Sequence, residues 1–84
     1  MIKVRYFASL RERVGCEDES IEWSEQRRSV ADLRAHLCGR GGVWEEAFAA
    51  DSLIMCAINE ELATSAALLA DEDEIAFFPP VTGG

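Results

Sequence analysis

Basic residues are scarce in this chain, and so are histidine, proline and any long apolar run. Eight lysines and arginines stand against sixteen acids, a formal net charge of −8. Gripping a phosphate backbone needs a basic footprint, so nucleic acid is not expected as a partner. A basic protein surface, or simple solubility, suits the charge better. No apolar stretch approaches the roughly 20 residues that cross a bilayer. The opening Met1-Ile2-Lys3-Val4-Arg5-Tyr6 is broken by charge and does not read as a secretory leader. No membrane partner and a cytoplasmic location are therefore expected. The single histidine, His36, has no second His and no Cys or carboxylate at ligand spacing, so no metal site is expected. Cys16, Cys38 and Cys56 are odd in number and widely spaced, without C-x-x-C, and suggest neither a disulfide framework nor a redox pair. Cys56, in an apolar run, reads as a small buried hydrophobe, and Cys16, after Gly15, as an exposed thiol. Gly41-Gly42 lacks the spacing of a phosphate-binding loop.

What is present fits one small domain of 84 residues, 49% of them hydrophobic. Ile2 to Ala8 alternates as a strand, with Ile2, Val4 and Tyr6 on one face and Lys3, Arg5 and Phe7 on the other. Leu10 to Gly15 reads as a polar connection with at most a helical turn. A second strand is predicted over Ser20 to Ser24, with Ile21 and Trp23 inward, antiparallel to the first. Ser29 caps a helix, with Asp32 completing a weak capping box. Val30, Leu33 and Leu37 form its apolar stripe, and Gly39 is expected as its C′ residue. Val43 to Ala50 suits a short helix burying Trp44 and Phe48. Leu53 to Ile58 reads as a strand buried on both faces. Leu62-Ala63 adds an edge piece, Ala66 to Ala70 a helical turn, and Glu74 to Phe78 the last strand. The first and last strands are the natural central, parallel neighbours. The expected fold class is α+β, a mixed four- to five-stranded sheet with one main helix on one face.

The only two prolines, Pro79 and Pro80, stand directly after that last strand, and the sequence ends Val81-Thr82-Gly83-Gly84. Prolines cannot donate ladder hydrogen bonds, so the strand must stop near Phe78 and the backbone must leave extended. Six residues then reach roughly 20 Å, at about 3.3–3.6 Å each. The chain thus divides into a domain over 1–78 and an extended tail over 79–84. A tip without side chains suits a narrow channel in another protein, and the carboxylate of Gly84 is the candidate functional group. The acidic cluster Asp71-Glu72-Asp73-Glu74 precedes the terminal strand and is expected to be the one that meets whatever receives the tail.

Val4-Arg5-Tyr6-Phe7-Ala8, Leu10-Arg11-Glu12 with Gly15, Val30-Ala31-Asp32-Leu33-Arg34, Ala57-Ile58-Asn59 and, above all, the stretch from Leu69 to Gly84 resemble the small subunits of molybdopterin synthase. The resemblance covers the whole chain. It implies a ubiquitin-like β-grasp fold with an extended C-terminal Gly-Gly tail. It implies that a ubiquitin-activating-type adenylyltransferase, using ATP, forms an acyl-adenylate on Gly84, and that sulfur then replaces the adenylate. The large synthase subunit would take Pro79, Pro80, Val81, Thr82 and Gly83 into its active site. There the Gly84 thiocarboxylate would give its sulfur to a cyclic pyranopterin monophosphate, in a heterotetramer of two small and two large subunits. The chain itself would bind no cofactor and would act as a sulfur donor rather than a catalyst. Glu72 departs from the family, whose members commonly carry glycine there, and a different turn is expected.

Phe7 and Phe78 fall on the strand faces opposite their core-pointing neighbours and Leu62 sits in a turn; the three are the candidate docking residues for a partner. Two other readings share the fold and the tip. One is a ubiquitin-like protein modifier joined to lysines through Gly84. The other is the sulfur carrier of thiamin thiazole synthesis, whose chains are typically shorter and lack Phe-Phe-Pro-Pro.

Overall fold

The computed structural model describes residues 1–80. Alternation in the first strand, β1 (Ile2–Tyr6), buries Ile2, Val4 and Tyr6 and leaves Lys3 in solvent. The last strand, β5 (Glu74–Phe78), alternates likewise, with Ile75 and Phe77 fully buried. The two pair in parallel at the centre of the sheet, Val4 opposite Ile75 and Tyr6 opposite Phe77. β2 (Asp18–Ile21) runs antiparallel beside β1, and β3 (Met55–Ile58) antiparallel beside β5. β4 (Glu61–Ala63) closes the far edge against β3. The order β2-β1-β5-β3-β4 is a five-stranded mixed sheet, as expected for an α+β chain.

Three helices cover the inner face. In α2 (Val30–Cys38) Val30, Leu33 and Leu37 are buried, the predicted stripe. Its N-terminus carries a full capping box: the Asp32 amide donates to Ser29 Oγ at 3.1 Å, and the Ser29 amide to Asp32 Oδ2 at 3.2 Å. Such caps contribute about 1 kcal/mol. Gly39 caps the other end in a right-handed conformation (φ −65°), so the C′ role expected for it is not taken; the positive-φ glycines of this loop are Gly41 and Gly42. α3 (Val43–Ala47) leads into buried Phe48, with Trp44 stacked on Phe48 at 5.9 Å between ring centroids. Tyr6, Phe48 and Phe77 join them edge-on or stacked, at 5.2–6.4 Å, as the aromatic centre of the core.

Several local expectations are corrected. The connection after β1 is a true helix, α1 (Ala8–Val14), because Leu10 finds the core and Gly15 (φ 67°) supplies its left-handed end. Ala8 therefore belongs to α1 and not to β1. β2 begins earlier than predicted and ends at Ile21; Trp23 lies beyond it, half-buried, its Nε1 donating to the Leu69 carbonyl at 3.0 Å. β3 is shorter than the apolar run and buried on one face only: Leu53 is 80% exposed and Met55 40%. Helices lie on the inner side alone, so hydrophobicity without alternation overstated the burial. Ala66 to Ala70 forms no helical turn. Leu68 bridges to Ser29, and Leu69 plugs the core.

The acidic stretch before β5 is a structural joint. Asp73 Oδ2 accepts from the Ala70 amide at 2.8 Å, and Asp73 Oδ1 from Asn59 Nδ2 at 3.0 Å. Asn59 Oδ1 in turn accepts from the Glu74 amide at 3.1 Å. The Met1 ammonium pairs with Asp71. Asp71 to Asp73 thus sit at the opposite end of β5 from Phe78, roughly 16 Å away for five residues of strand. Glu72 adopts φ 76° and its amide donates to the Met1 carbonyl at 3.0 Å. The glutamate therefore takes the left-handed conformation a glycine favours, and the different turn expected for it does not occur.

A part-buried polar knot ties β1, β2 and the α2–α3 loop. Glu19 accepts from Tyr6 Oη at 2.9 Å and from both terminal nitrogens of Arg40 at 2.9 and 2.6 Å. The Arg40 guanidinium also lies 4.5 Å from the Trp44 ring centroid. Arg40, helped by Tyr6, holds the Glu19 carboxyl below its ordinary value of 4.5. A depressed folded-state pKa gives stability that is present above the unfolded value and lost as pH falls through the folded one. Wild-type stability should therefore fall as pH drops below about 4.5, and Glu19→Gln should flatten that limb. Urea midpoints between pH 3 and 6 measure this; an unchanged acid limb would remove Glu19 as its source.

Candidate functional site

The strand end sets the geometry of the tail. The Phe7 amide donates to the Phe77 carbonyl at 3.1 Å, the last rung between the central strands. Proline has no amide hydrogen, so no rung can follow at Pro79 or Pro80. Pro79 is half-buried and Pro80 exposed. Val81, Thr82, Gly83 and Gly84, which the sequence reading places in the tail, lie outside the described residues.

The pairing registers bring the three candidate docking residues onto the outer face of the sheet. Phe78 stands opposite Met55 on β3, and Phe7 follows β1 on the other side of β5. One row back, Arg5 pairs with Ala76, Ala76 with Ala57, and Ala57 with Leu62. Phe7, Met55 and Leu62 are 37%, 40% and 72% exposed, and Phe78 is half-buried. The result is an apolar face beside the point where the chain leaves the sheet, with Arg5 at the β1 end of its second row and Asp18 of β2 opposite Arg5 beyond it. Met55 and Ala57 were missed in the sequence because the Leu53–Ile58 run was assigned to a strand without an outer face. The alternation of β5, transferred across the antiparallel register, is the signal that finds them.

The remaining reactive side chains lie elsewhere. Cys16 is half-buried rather than exposed, and burial, with the nearby Glu19 carboxylate, pushes its thiol up. Cys56 is buried and its thiol is likewise raised. His36 is exposed on α2, with partial desolvation and the charges of Arg27 and Arg40 lowering its pKa. Among the described residues no three His, Cys, Asp or Glu side chains gather as metal ligands. No described helix is long and apolar enough to cross a membrane. A cavity of about 310 Å³ lies between α2 and the segment after α3, lined by Ala31, Arg34, Cys38, Phe48, Ala50 and Ser65 among others. Arg34 is committed there to the carbonyls of Ala49 and Ser52, at 2.7 and 3.2 Å. The described face next to the tail is mostly apolar, with Arg5 and the Glu74 carboxylate in its rear rows.

Comparison with known proteins agrees with this arrangement. The ThiS family model matches residues 4–84. The chain is 40% identical to the molybdopterin synthase sulfur carrier subunit of Escherichia coli K12 and 37% identical to that of Haemophilus influenzae, over the full length of both chains in each case. Among solved structures, SAMP1 from Haloferax volcanii superposes with a TM-score of 0.77 at 30% identity, covering 99% of this chain and 98% of that one. A complex of subunits 1 and 2 of molybdopterin-converting factor from Helicobacter pylori gives 0.66 at 27% identity, covering 99% and 97%. These likenesses carry the β-grasp fold.

The two sides of β5 should respond differently to truncation. Phe77→Ala empties the aromatic centre and should cost about 3–5 kcal/mol of stability. Phe78→Ala and Leu62→Ala, on the outer face, should each cost less than about 1 kcal/mol. Chemical denaturation of the three variants measures the contrast. A loss at Phe78 as large as at Phe77 would contradict the facing described here.

Proposed function

The chain belongs to the ThiS family, and on that premise we propose that it is the sulfur carrier subunit of a molybdopterin synthase. The observation that carries the proposal is the full-length identity of 40% to such a subunit, in a chain whose central strand runs into Pro-Pro-Val-Thr-Gly-Gly. Three parts follow from the physical arrangement. The domain is a handle. The apolar face of Phe7, Met55, Leu62 and Phe78 docks a partner. Pro79 to Gly83 carry the Gly84 carboxylate away from the sheet and into that partner's active site.

The chemistry starts from a poor electrophile. A carboxylate resists attack until one oxygen is joined to a good leaving group. The Gly84 carboxylate attacks the α-phosphate of ATP on a ubiquitin-activating-type adenylyltransferase and expels pyrophosphate. A sulfur nucleophile then displaces AMP and leaves a thiocarboxylate. The large synthase subunit receives the charged tail, and the sulfur passes to a cyclic pyranopterin monophosphate to build the dithiolene. The Helicobacter pylori complex of subunits 1 and 2 supports the large subunit as partner. Two small and two large subunits form the assembly in this reading. Both working sites for Gly84 belong to partners in this reading.

A second reading rests on the likeness to SAMP1, a small archaeal modifier protein. In it Gly84 ends as an isopeptide on lysine. Gly-Gly remnants on lysines of other proteins, dependent on this chain, would favour it. Loss of molybdoenzyme activity on deletion of the gene, with thiamin prototrophy kept, favours the synthase.

Mass spectrometry tests the carrier directly. Incubation with the activating enzyme, ATP and a sulfur source should exchange one carboxylate oxygen of the C-terminal peptide for sulfur. The Cys16→Ser/Cys38→Ser/Cys56→Ser protein should still charge, whereas one residue added after Gly84 should abolish charging. Sulfur that survives the extension and disappears with the cysteines would place the carrier on a thiol instead. Docking is tested separately. Phe78→Ala should weaken binding to the large subunit by about 1–4 kcal/mol, the range of an interface hot spot. Unchanged affinity would remove Phe78 from the interface.

A further inference from the structure

The apolar face next to the tail contains one feature that apolar docking alone does not explain. Arg5 sits in its second row, beside Ala76, with Ala57 and Leu62 beyond. Its guanidinium carbon lies 5.2 Å from the centroid of the Phe7 ring, and Nη1 lies 3.3 Å from Glu74 Oε1. The arginine side chain is 41% exposed and that of Glu74 44%. The cation is thus held in place by an aromatic face on one side and a long, wet ion pair on the other. A pair so exposed contributes little to folding. The local charge runs against the rest of the molecule. Lys3, Arg5, Arg11 and Arg13 stand in the first thirteen residues beside a single acid, Glu12, in a chain of net charge −8. In the sheet Lys3 stands beside Glu74 at the start of β5, and Arg5, one row nearer the end of β5, stands between Ala76 and the exposed Asp18 of β2.

We propose that Arg5 is the specificity-determining residue of the docking face, and that its occupant is an apolar surface of the synthase large subunit bearing a carboxylate opposite the guanidinium. This rests on the docking role proposed above and adds to it the charge of the partner. Docking removes water from the face. A guanidinium left there with one partial ion pair has unmet donors, and an arginine presents a planar fork that a carboxylate fills with two parallel hydrogen bonds. Stacking on Phe7 orients the fork and lowers the side-chain freedom lost on binding. Glu74 competes for the same cation in the free protein and yields part of it in the complex. A partner that is apolar but lacks the acid meets an unpaired charge, which penalises wrong docking.

The test is the affinity of the full-length chain for its large subunit, titrated at low and high salt. Arg5→Leu makes the face wholly apolar. If Arg5 reads a carboxylate, this variant binds about tenfold more weakly and its affinity loses salt dependence. Arg5→Lys restores part of the loss. Glu74→Gln, which frees the guanidinium and leaves the backbone bonds of β5 untouched, binds more tightly than the wild type. Melting curves confirm that each variant is folded. Arg5→Leu binding as well as the wild type, or better, while Phe78→Ala binds more weakly, overturns the role of Arg5 and leaves the docking face standing. No measurable binding by the wild type overturns both.

Discussion

A β-strand must send successive side chains to opposite faces, and at Tyr6-Phe7 and Phe77-Phe78 this constraint joins folding to contact. Tyr6 and Phe77 lie opposite each other across the parallel central pair and face inward, where Phe48 meets them. Their neighbours Phe7 and Phe78 are thereby turned outward, next to the end of the sheet. A one-residue slip between β1 and β5 would exchange the two sets and lose both the core and the outer apolar face. The site cannot drift independently of the core.

Around that pair, charge is used in two ways. The Tyr6–Glu19–Arg40 knot and the Asp73–Asn59 joint satisfy polar groups at the ends of strands and hold the loops that close the core. Arg5 is instead left in reach of solvent, on the outer face, with a long pair to Glu74. The tightest side-chain network therefore lies around the inward-facing Tyr6, and a loose ion pair lies within the outer apolar face. A surface that has to separate from more than one partner is served by weak internal pairings, because these can be exchanged without disturbing the fold.

Much of this was legible in the sequence. The alternation of β1 and β5, the Ser29 cap with Asp32, the stripe of Val30, Leu33 and Leu37, and the double proline are local signals with local causes. Phe7 and Phe78 could be placed on an outer face from the same alternation, whereas Leu62 is brought there by the pairing of β4 with β3. What was not legible depends on partners far along the chain. Leu53 and Met55 read as core because an apolar run does not reveal whether helices cover one side of a sheet or both. α1 was underestimated because seven mostly polar residues depend on one side chain, Leu10, reaching the core. The left-handed Glu72 was missed because propensity argues against it; its amide bond to Met1 and the neighbouring acid–ammonium pair override that preference.

The position of β5 has a mechanical consequence. It is flanked on both sides, by β1 in parallel and by β3 in antiparallel, and it runs straight into the tail. A force drawn through the tail along the strand axis loads both ladders in shear, so their rungs share the tension and do not open one after another. Had the tail followed an edge strand such as β4, three residues paired on one side, the same force could have peeled it away. Traction on the chain end is thus taken up in the middle of the sheet, where it reaches the fold as a whole.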